Sequence, residues 1–156
     1  MTVAPKKAAI LGTGSWASSF GKHLAHKWDR VVLWGIEPKQ VDSINQTGTN
    51  PDFLGDIQLP PNLRATLDLD DCLRNADIVF SVVPSQAVRQ VMQKVAQSPC
   101  FANEVPVVNL AKGFEVATLE RLSEVMIEEL TDHGDHPIGV LLGPSHAEEV
   151  ALEQPT

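Results

Sequence analysis

Ala8-Ala-Ile-Leu-Gly-Thr-Gly-Ser-Trp-Ala17 joins a short apolar run directly to a glycine-rich turn. The apolar run, residues 8–11, predicts a buried strand, and the periodic apolar side chains after the turn predict a helix. The turn itself fits the pattern G-x-G-x-x-G/A, which between a strand and a helix is typical of dinucleotide-binding domains. This stretch therefore predicts an α/β fold that begins with a nucleotide-binding turn.

Each small residue of the turn has a physical role in this interpretation. Gly12 permits the tight turn, Gly14 lets a pyrophosphate approach the backbone without a Cβ in the way, and Ala17 allows close packing of the helix. Ser15 and Trp16 begin the helix, whose free N–H groups carry partial positive charge and suit a diphosphate. A purely structural glycine turn is the alternative, and the flanking strand and helix favour the cofactor.

Short apolar runs alternate with amphipathic segments along the rest of the chain. We predict strands at residues 8–11, 31–34, 65–67, 78–83, 105–110 and 138–142. We predict helices at residues 16–28, 39–45, 69–74, 85–97, 119–130 and 146–152, and a long loop at 47–62. Continuous apolar strands between helices indicate a parallel sheet covered on both faces. The prediction is one doubly wound, Rossmann-like domain over residues 1–156.

Composition excludes several classes of function. The net charge of −8 argues against nucleic acid as a partner, because an acidic surface repels phosphate backbones. Cys72 and Cys100 form no CxxC pair, so a reduced, cytoplasmic protein is the simplest interpretation. The run at residues 8–11 is too short for a signal peptide or a transmembrane segment. His133 and His136 flank a polar loop and are expected to be solvated rather than bound to a metal.

Ligands of doubly wound sheets bind at the carboxyl ends of the strands, so the residues after each strand are candidate site residues. Ile36 and Glu37 follow the second strand, and Glu37 lies about twenty residues past the glycines, where an acid commonly bonds the adenosine ribose. A solvated turn residue before Pro38 explains Glu37 nearly as well. Pro84 and Ser85 follow the fourth strand and would border the cofactor, but strand termination and helix capping also explain them.

Polar residues also follow the fifth and sixth strands. Lys112 could bind a phosphate or polarise a carbonyl, although its position alone favours a solvated surface lysine. After the sixth strand, Gly143 leads to Ser145, which could cap the next helix with Glu148 completing a capping box. His146 could be taken for an acid–base catalyst, but no carboxylate partner for it is identifiable from the sequence.

Six motifs in this order resemble those of the bacterial-type glycerol-3-phosphate dehydrogenases. They are Gly12-Thr-Gly-Ser-Trp-Ala, Val-Leu-Trp-Gly ending at Gly35, Leu-Pro-Pro-Asn-Leu ending at Leu63, Val-Pro-Ser ending at Ser85, Ala-Lys-Gly ending at Gly113, and Gly-Pro-Ser-His-Ala-Glu-Glu ending at Glu149. The resemblance covers essentially the whole chain, and six ordered motifs are far more specific than the glycine turn alone.

The resemblance implies reduction of dihydroxyacetone phosphate to sn-glycerol 3-phosphate with NADH or NADPH, for phospholipid synthesis, and allows a homodimer. By its motifs it assigns cofactor contacts to Ser15, Trp16, Lys112 and Ala147, and substrate contacts to Lys112, Gly143 and Ser145. It therefore makes Lys112 a functional residue rather than a solvated one. It also makes His146 a variable position within its motif, which lowers its standing as a catalyst.

The chain departs from the family pattern in two respects. Ile36 stands where the family often has a basic residue, and Glu37 would repel a 2′-phosphate, so we expect NADH to bind at least as well as NADPH. Family members are also about twice this length, and their helical second half supplies a proton-donor lysine. We therefore expect a fragment that ends before this helical domain and is inactive alone.

Two other functions remain open at this point. One is a dehydrogenase of another small hydroxy acid or polyol, which substrate profiling would separate from the leading hypothesis. The other is a nucleotide-binding or interaction module without turnover.

Overall fold

The predicted strands join into one parallel sheet within residues 6–155, the part of the chain that a computed structural model describes. They are β1 (Lys7–Leu11), β2 (Arg30–Trp34), β3 (Leu63–Thr66), β4 (Ile78–Ser81), β5 (Val107–Asn109) and β6 (Ile138–Val140). Their order across the six-stranded sheet is β3-β2-β1-β4-β5-β6, with every neighbouring pair parallel. The order reverses between β1 and β4, which creates the crevice where such sheets bind ligands.

Helices lie on both faces of this sheet. They are α1 (Ser15–Leu24), α2 (Pro38–Thr47), α3 (Pro51–Leu54), α4 (Leu69–Leu73), α5 (Val88–Gln97), α6 (Leu122–Leu130) and α7 (Ala147–Ala151). None of the helices between residues 6 and 155 is both long and apolar enough to cross a bilayer. The predicted doubly wound α/β fold is thus confirmed.

Alternate residues of the central strand face two separate apolar cores. Ala8 and Ile10 pack in the cluster that contains Phe20 of α1, whereas Ala9 and Leu11 pack in the cluster that contains Met92 of α5. All four β1 residues are fully buried. A strand covered on both faces must be apolar at consecutive positions, which is why a continuous run predicted it correctly.

Helix α1 packs closely on the sheet because Gly21 faces it. A Cβ at this position would lie 3.0 Å from Leu63 Cδ1, 3.2 Å from Ile10 Cδ1 and 3.3 Å from Leu33 Cδ1. Side chains of three strands thus fill the space that a larger residue would need. A larger residue at Gly21 would therefore push this part of α1 away from the sheet.

The predicted extension of α1 to Trp28 is wrong. The helix ends at Leu24, and Asn62 Nδ2 donates to the carbonyl oxygens of Ala25 and Trp28, each at 2.9 Å. A side chain distant in the sequence thus supplies donors to the carbonyl groups that follow the helix. Local periodicity holds no information about such a partner.

The predicted loop at residues 47–62 contains part of one helix and the whole of another. Helix α2 continues to Thr47, where Gly48 ends it with a left-handed φ of 67°. Helix α3 then occupies Pro51–Leu54, with proline in its first turn. Four residues are too few for a helical period to show in the sequence, so this helix was missed.

Leu119 was wrongly predicted to lie on the buried face of a helix. It has a φ of 63° and is 78% exposed, and α6 begins only at Leu122. Glu124 accepts a hydrogen bond from the Arg121 N–H at 3.2 Å, which fixes the start of the helix there. The rest of the predicted stripe, Leu122, Met126 and Leu130, is buried as expected.

The two predicted serine caps are also wrong. Ser85 begins a 3-10 turn that ends at Ala87, and no side-chain hydrogen bond caps it. Helix α7 starts at Ala147 with His146 at the capping position, so Ser145 lies one residue too early and the box with Glu148 does not form. Both serines therefore keep their hydroxyl groups outside any helix cap.

Candidate dinucleotide site

Gly12 makes the turn from β1 into α1. Its φ is +130°, and its N–H donates to the Trp34 carbonyl oxygen at 2.8 Å. A Cβ there would lie 2.6 Å from the Val82 carbonyl oxygen, closer than any side-chain carbon can approach. Glycine is therefore required where β1, β2 and β4 end together.

Gly14 occupies the capping position of α1 in an open space. Its φ of −68° and ψ of −177° suit any residue, and no atom lies within 4 Å of the position a Cβ would take. Helices leave their first N–H groups without partners in the helix, and these groups carry partial positive charge. The space beside Gly14 and the half-buried start of α1 therefore fit a diphosphate, and a side chain on Gly14 would fill that space.

A cleft of about 980 Å³ opens beside the start of α1. It runs between α1, the loop after β5, the loop after β6 and α7. Predicted site residues from four separate segments line it: Ser15, Trp16, Lys112, Gly143, Ser145 and Ala147. The fold thus brings together the residues to which the sequence motifs assign cofactor and substrate contacts.

Helix α7 is held against α1 by polar contacts at its end. Lys22 Nζ donates to the Ala151 carbonyl oxygen at 2.6 Å and to Glu153 Oε1 at 3.3 Å. His26 Nε2 lies 3.5 Å from the same carboxylate oxygen. These contacts fix the segment after β6 across the cleft from α1.

Several residues that line the cleft were not predicted as site residues. Phe20 and His23 extend the row begun by Trp16 along α1, and Glu153 lies at the opposite wall. The spacing of the α1 residues, four and seven positions after Trp16, places them on one helix face and could have indicated this row. Glu153 follows the last predicted helix, where no sequence signal marked it.

The loop that carries Lys112 is held at its base by Asn109. The Asn109 side chain donates to the Ala111 carbonyl oxygen at 2.8 Å and accepts from the Ala111 N–H at 3.1 Å. Gly113 then turns the chain with a φ of 101°. Lys112 stands between these two constraints with an exposed side chain that borders the cleft.

An ion-pair network anchors the far side of the same loop. Arg89 on α5 donates to both carboxylate oxygens of Glu115, at 2.8 Å and 2.9 Å, and also pairs with Glu120, Glu128 and Glu129. The guanidinium group lowers the pKa of Glu115 to about 2. Bidentate, charge-assisted bonds of this kind fix orientation as well as distance, so the loop is tied to both α5 and α6.

Besides Gly12 and Gly14 in the glycine turn itself, three predicted cofactor residues lie outside the lining of the cleft. Ile36, which is 72% exposed, and Glu37 follow β2, beside Gly35. A Cβ on Gly35 would lie 2.5 Å from Thr13 Cγ2, so the end of β2 packs directly on the glycine turn. Pro84 is exposed after β4. All three share the carboxyl edge of the sheet with the cleft.

His133 and His136 are not the solvated pair that the sequence predicted. His133 Nδ1 lies 3.1 Å from His136 Nε2, and His136 Nδ1 lies 3.0 Å from the Val105 carbonyl oxygen. The ring of Phe101 stacks on the ring of His136, with the two centroids 4.3 Å apart. Apolar and backbone groups in the neighbourhood explain this partial burial. Within residues 6–155 no group of three or more acidic, histidine or cysteine side chains is placed to hold a metal ion.

A parallel sheet whose order reverses beside a glycine turn and an open helix start defines a dinucleotide-binding domain of the Rossmann type. Residues 7–156 match the family described as NAD-dependent glycerol-3-phosphate dehydrogenase N-terminus. The chain belongs to this family.

Individual relatives agree with this assignment. The chain is 43% identical to glycerol-3-phosphate dehydrogenase (NAD(P)+) of Exiguobacterium sp. over 95% of its own length and 43% of that protein. It is 41% identical to the protein of the same name from Streptomyces coelicolor, with 97% and 44% covered. The crystal structure of glycerol-3-phosphate dehydrogenase from Coxiella burnetii superposes with a TM-score of 0.87 at 34% identity, over 97% of this chain and 45% of that one. The chain therefore spans less than half the length of these relatives.

Proposed function

We propose that this chain binds NAD(H) or NADP(H) and serves an enzyme that interconverts dihydroxyacetone phosphate and sn-glycerol 3-phosphate. One observation carries the proposal: the cleft beside the glycine turn is lined by Ser15 and Trp16 on one side and by Lys112, Gly143 and Ser145 on the other. The first pair stands at an anion-binding helix start. The second group brings a cation and small or hydroxyl-bearing residues to the same space.

Each group of residues has a separate role in the proposed reaction. A bound nicotinamide supplies the hydride that reduces the ketone carbon. Gly14 and the start of α1 hold the diphosphate, and Trp16 and Ala147 border the cofactor. Lys112 offers a point charge to the phosphate or to the carbonyl oxygen of the substrate, and Gly143 and Ser145 shape the pocket around it. The product would supply glycerophospholipid synthesis.

We expect the 156-residue chain to bind NADH without oxidising it when dihydroxyacetone phosphate is added. Hydride transfer to a ketone also needs a proton delivered to the developing alkoxide. The family resemblance places the proton-donor lysine in the second half of the family's sequence, which this chain does not cover. Calorimetric titration with NADH measures binding, and absorbance of the same sample with substrate measures turnover.

Two results would contradict this proposal. Absence of NADH binding would show that the chain has no dinucleotide site. Robust NADH oxidation by the chain alone would show that the proton donor lies within this chain. In a protein of the relatives' full length that contains this chain, preference for another hydroxy acid or polyol would replace the proposed substrate.

We further propose that NADH binds at least as well as NADPH. Glu37 would bond ribose hydroxyls but repel a 2′-phosphate, and Ile36 offers no charge to offset it. Arg30, a basic residue near in the sequence, lies at the opposite end of β2. Ile36→Arg is expected to strengthen NADPH binding about tenfold or more and to leave NADH nearly unchanged, since a charge-assisted bond contributes about 1.5–3 kcal/mol.

Titrations of the unchanged chain and of Ile36→Arg with both cofactors, at one salt concentration, measure this preference. Lys39→Ala is the matched control, because Lys39 is an exposed cation in the first turn of α2. A clear NADPH preference that is lost in Lys39→Ala would assign the phosphate to Lys39 and contradict our interpretation of Ile36.

We place the enzyme in the cytoplasm, which the free cysteines of this chain, Cys72 and Cys100, support. The homodimer stays a prediction, and sedimentation of the purified protein would measure it.

A further inference from the structure

Asn50 stands at the start of α3 but does not cap it. Asparagine at this position ordinarily accepts a hydrogen bond from the first turn of its own helix. Here the side chain makes no such bond, and its Oδ1 has no partner within the described residues. The residue is fully buried, so the unpaired oxygen costs free energy that some other contact must offset.

The two amide hydrogens of Asn50 are used on the glycine turn instead. Nδ2 donates to the Thr13 carbonyl oxygen at 2.7 Å and to Ser18 Oγ at 2.9 Å. Ser18 Oγ in turn donates to the same carbonyl oxygen at 3.3 Å. The opposite orientation of the amide would place Oδ1 against the carbonyl oxygen, so these contacts determine which way the side chain points.

Thr13 is held on its side-chain end as well. Its Oγ1 donates to Gln40 Oε1 at 2.8 Å, and its methyl group packs on Gly35. The remaining freedom is the tilt of the peptide plane between Thr13 and Gly14. The hydrogen bond from Asn50 to the Thr13 carbonyl oxygen restricts this tilt. The chain has no cis peptide bond between residues 6 and 155, so the Gly14 N–H points away from the Thr13 carbonyl oxygen.

We propose that Asn50 is a positioning residue for dinucleotide binding, which holds the Thr13–Gly14 peptide so that the Gly14 N–H faces the diphosphate. The inference rests on the proposed function, since it concerns the same site. Asn50 itself touches no ligand in this arrangement. Among residues 6–155 no hydrogen bond uses the Gly14 N–H, which leaves this donor for the diphosphate.

The test compares Asn50 with Asn62, which offers the same chemistry away from the glycine turn. Asn62 Nδ2 also donates to two backbone or side-chain oxygens of distant residues, here the carbonyls of Ala25 and Trp28. Asn50→Asp and Asn62→Asp each replace the donor with an oxygen at nearly constant volume. Both variants are expected to unfold at lower temperature than the unchanged chain.

Calorimetric titration of the 156-residue chain with NADH separates the two roles. Asn50→Asp is expected to weaken binding by at least about tenfold, and Asn62→Asp by less than about twofold, at a temperature where both are folded. Equal affinities in the two variants would overturn the inference. If the unchanged chain itself binds no NADH, the proposed function fails. That outcome differs from equal affinities in the two variants, which would overturn only the role of Asn50.

A second measurement covers the case in which Asn50→Asp does not fold. Hydrogen exchange of Asn50→Ala and Asn62→Ala, followed by mass spectrometry without ligand, reports on the glycine turn directly. Asn50→Ala is expected to speed exchange in the peptide that covers residues 12–18, and Asn62→Ala is expected to leave it unchanged. The same exchange rate in both variants would overturn the inference.

Discussion

Replacing Gly14 with valine is expected to weaken NADH binding by at least about 100-fold, or about 2.7 kcal/mol, while the domain stays folded. The backbone at Gly14 lies in a region open to any residue, and no atom stands within 4 Å of a Cβ there. The Cβ of a valine would therefore meet no atom of a distant residue, and the side chain would occupy the space that suits the diphosphate. Stability should fall by only about 1 kcal/mol, because valine caps a helix poorly.

Gly12→Val is the contrasting control for this prediction. A Cβ at Gly12 would lie 2.6 Å from the Val82 carbonyl oxygen, and its φ of +130° disfavours every other residue. We expect this variant to lose stability and binding together, whereas Gly14→Val loses binding with only a small loss of stability. Calorimetric titration and thermal unfolding of both variants measure the two quantities. Unchanged NADH affinity in folded Gly14→Val would place the dinucleotide elsewhere.

The fold was predictable because each central strand is apolar at consecutive positions. Residues 8–11 and 31–34 are buried on both faces, so the runs that cover them carry a signal that needs no partner to be recognised. The doubly wound pattern predicted a parallel sheet, and the structure adds its strand order, β3-β2-β1-β4-β5-β6. The amphipathic stripe of α5 was equally clear, since its predicted face of Val88, Val91, Met92 and Val95 is buried throughout.

Element ends were less predictable because tertiary contacts determine them. Helix α1 ends where Asn62 donates to the carbonyl oxygens of Ala25 and Trp28, and Asn62 lies 34 residues beyond Trp28 in the sequence. Leu119 fits the helical period of α6 but takes a left-handed conformation in the loop that Arg89 holds. A local pattern cannot report a partner that the fold alone supplies.

Some residues of the candidate site were likewise predictable from the sequence, and others were not. Residues that directly follow strands, such as Lys112 and Gly143, could be selected because parallel strands deliver their carboxyl ends to one edge. Asn50 could not be selected, since it lies in a segment predicted to be a loop and reaches the glycine turn through a contact across 37 positions. Its chemistry is visible only when the buried amide is seen beside Thr13.

Lys112→Ala is expected to lower kcat/KM by about 100-fold, which corresponds to about 2.7 kcal/mol of transition-state stabilisation. The lysine is exposed, in a loop whose base Asn109 holds and whose turn Gly113 makes, so removing its side chain takes away no buried contact. Stability should change by less than about 0.5 kcal/mol, as for other surface substitutions. The measurement uses steady-state kinetics in a protein of the relatives' full length that contains this chain.

Lys27→Ala is the matched control, because Lys27 is also exposed but lies outside the cleft. It removes the same positive charge from the protein, so any general effect of net charge on an anionic substrate appears in both variants. A loss confined to Lys112→Ala indicates a charge that acts at the substrate. Wild-type kinetics in Lys112→Ala would instead indicate that this residue is a solvated surface lysine. The cleft would then lack the cation proposed to bind the anionic substrate.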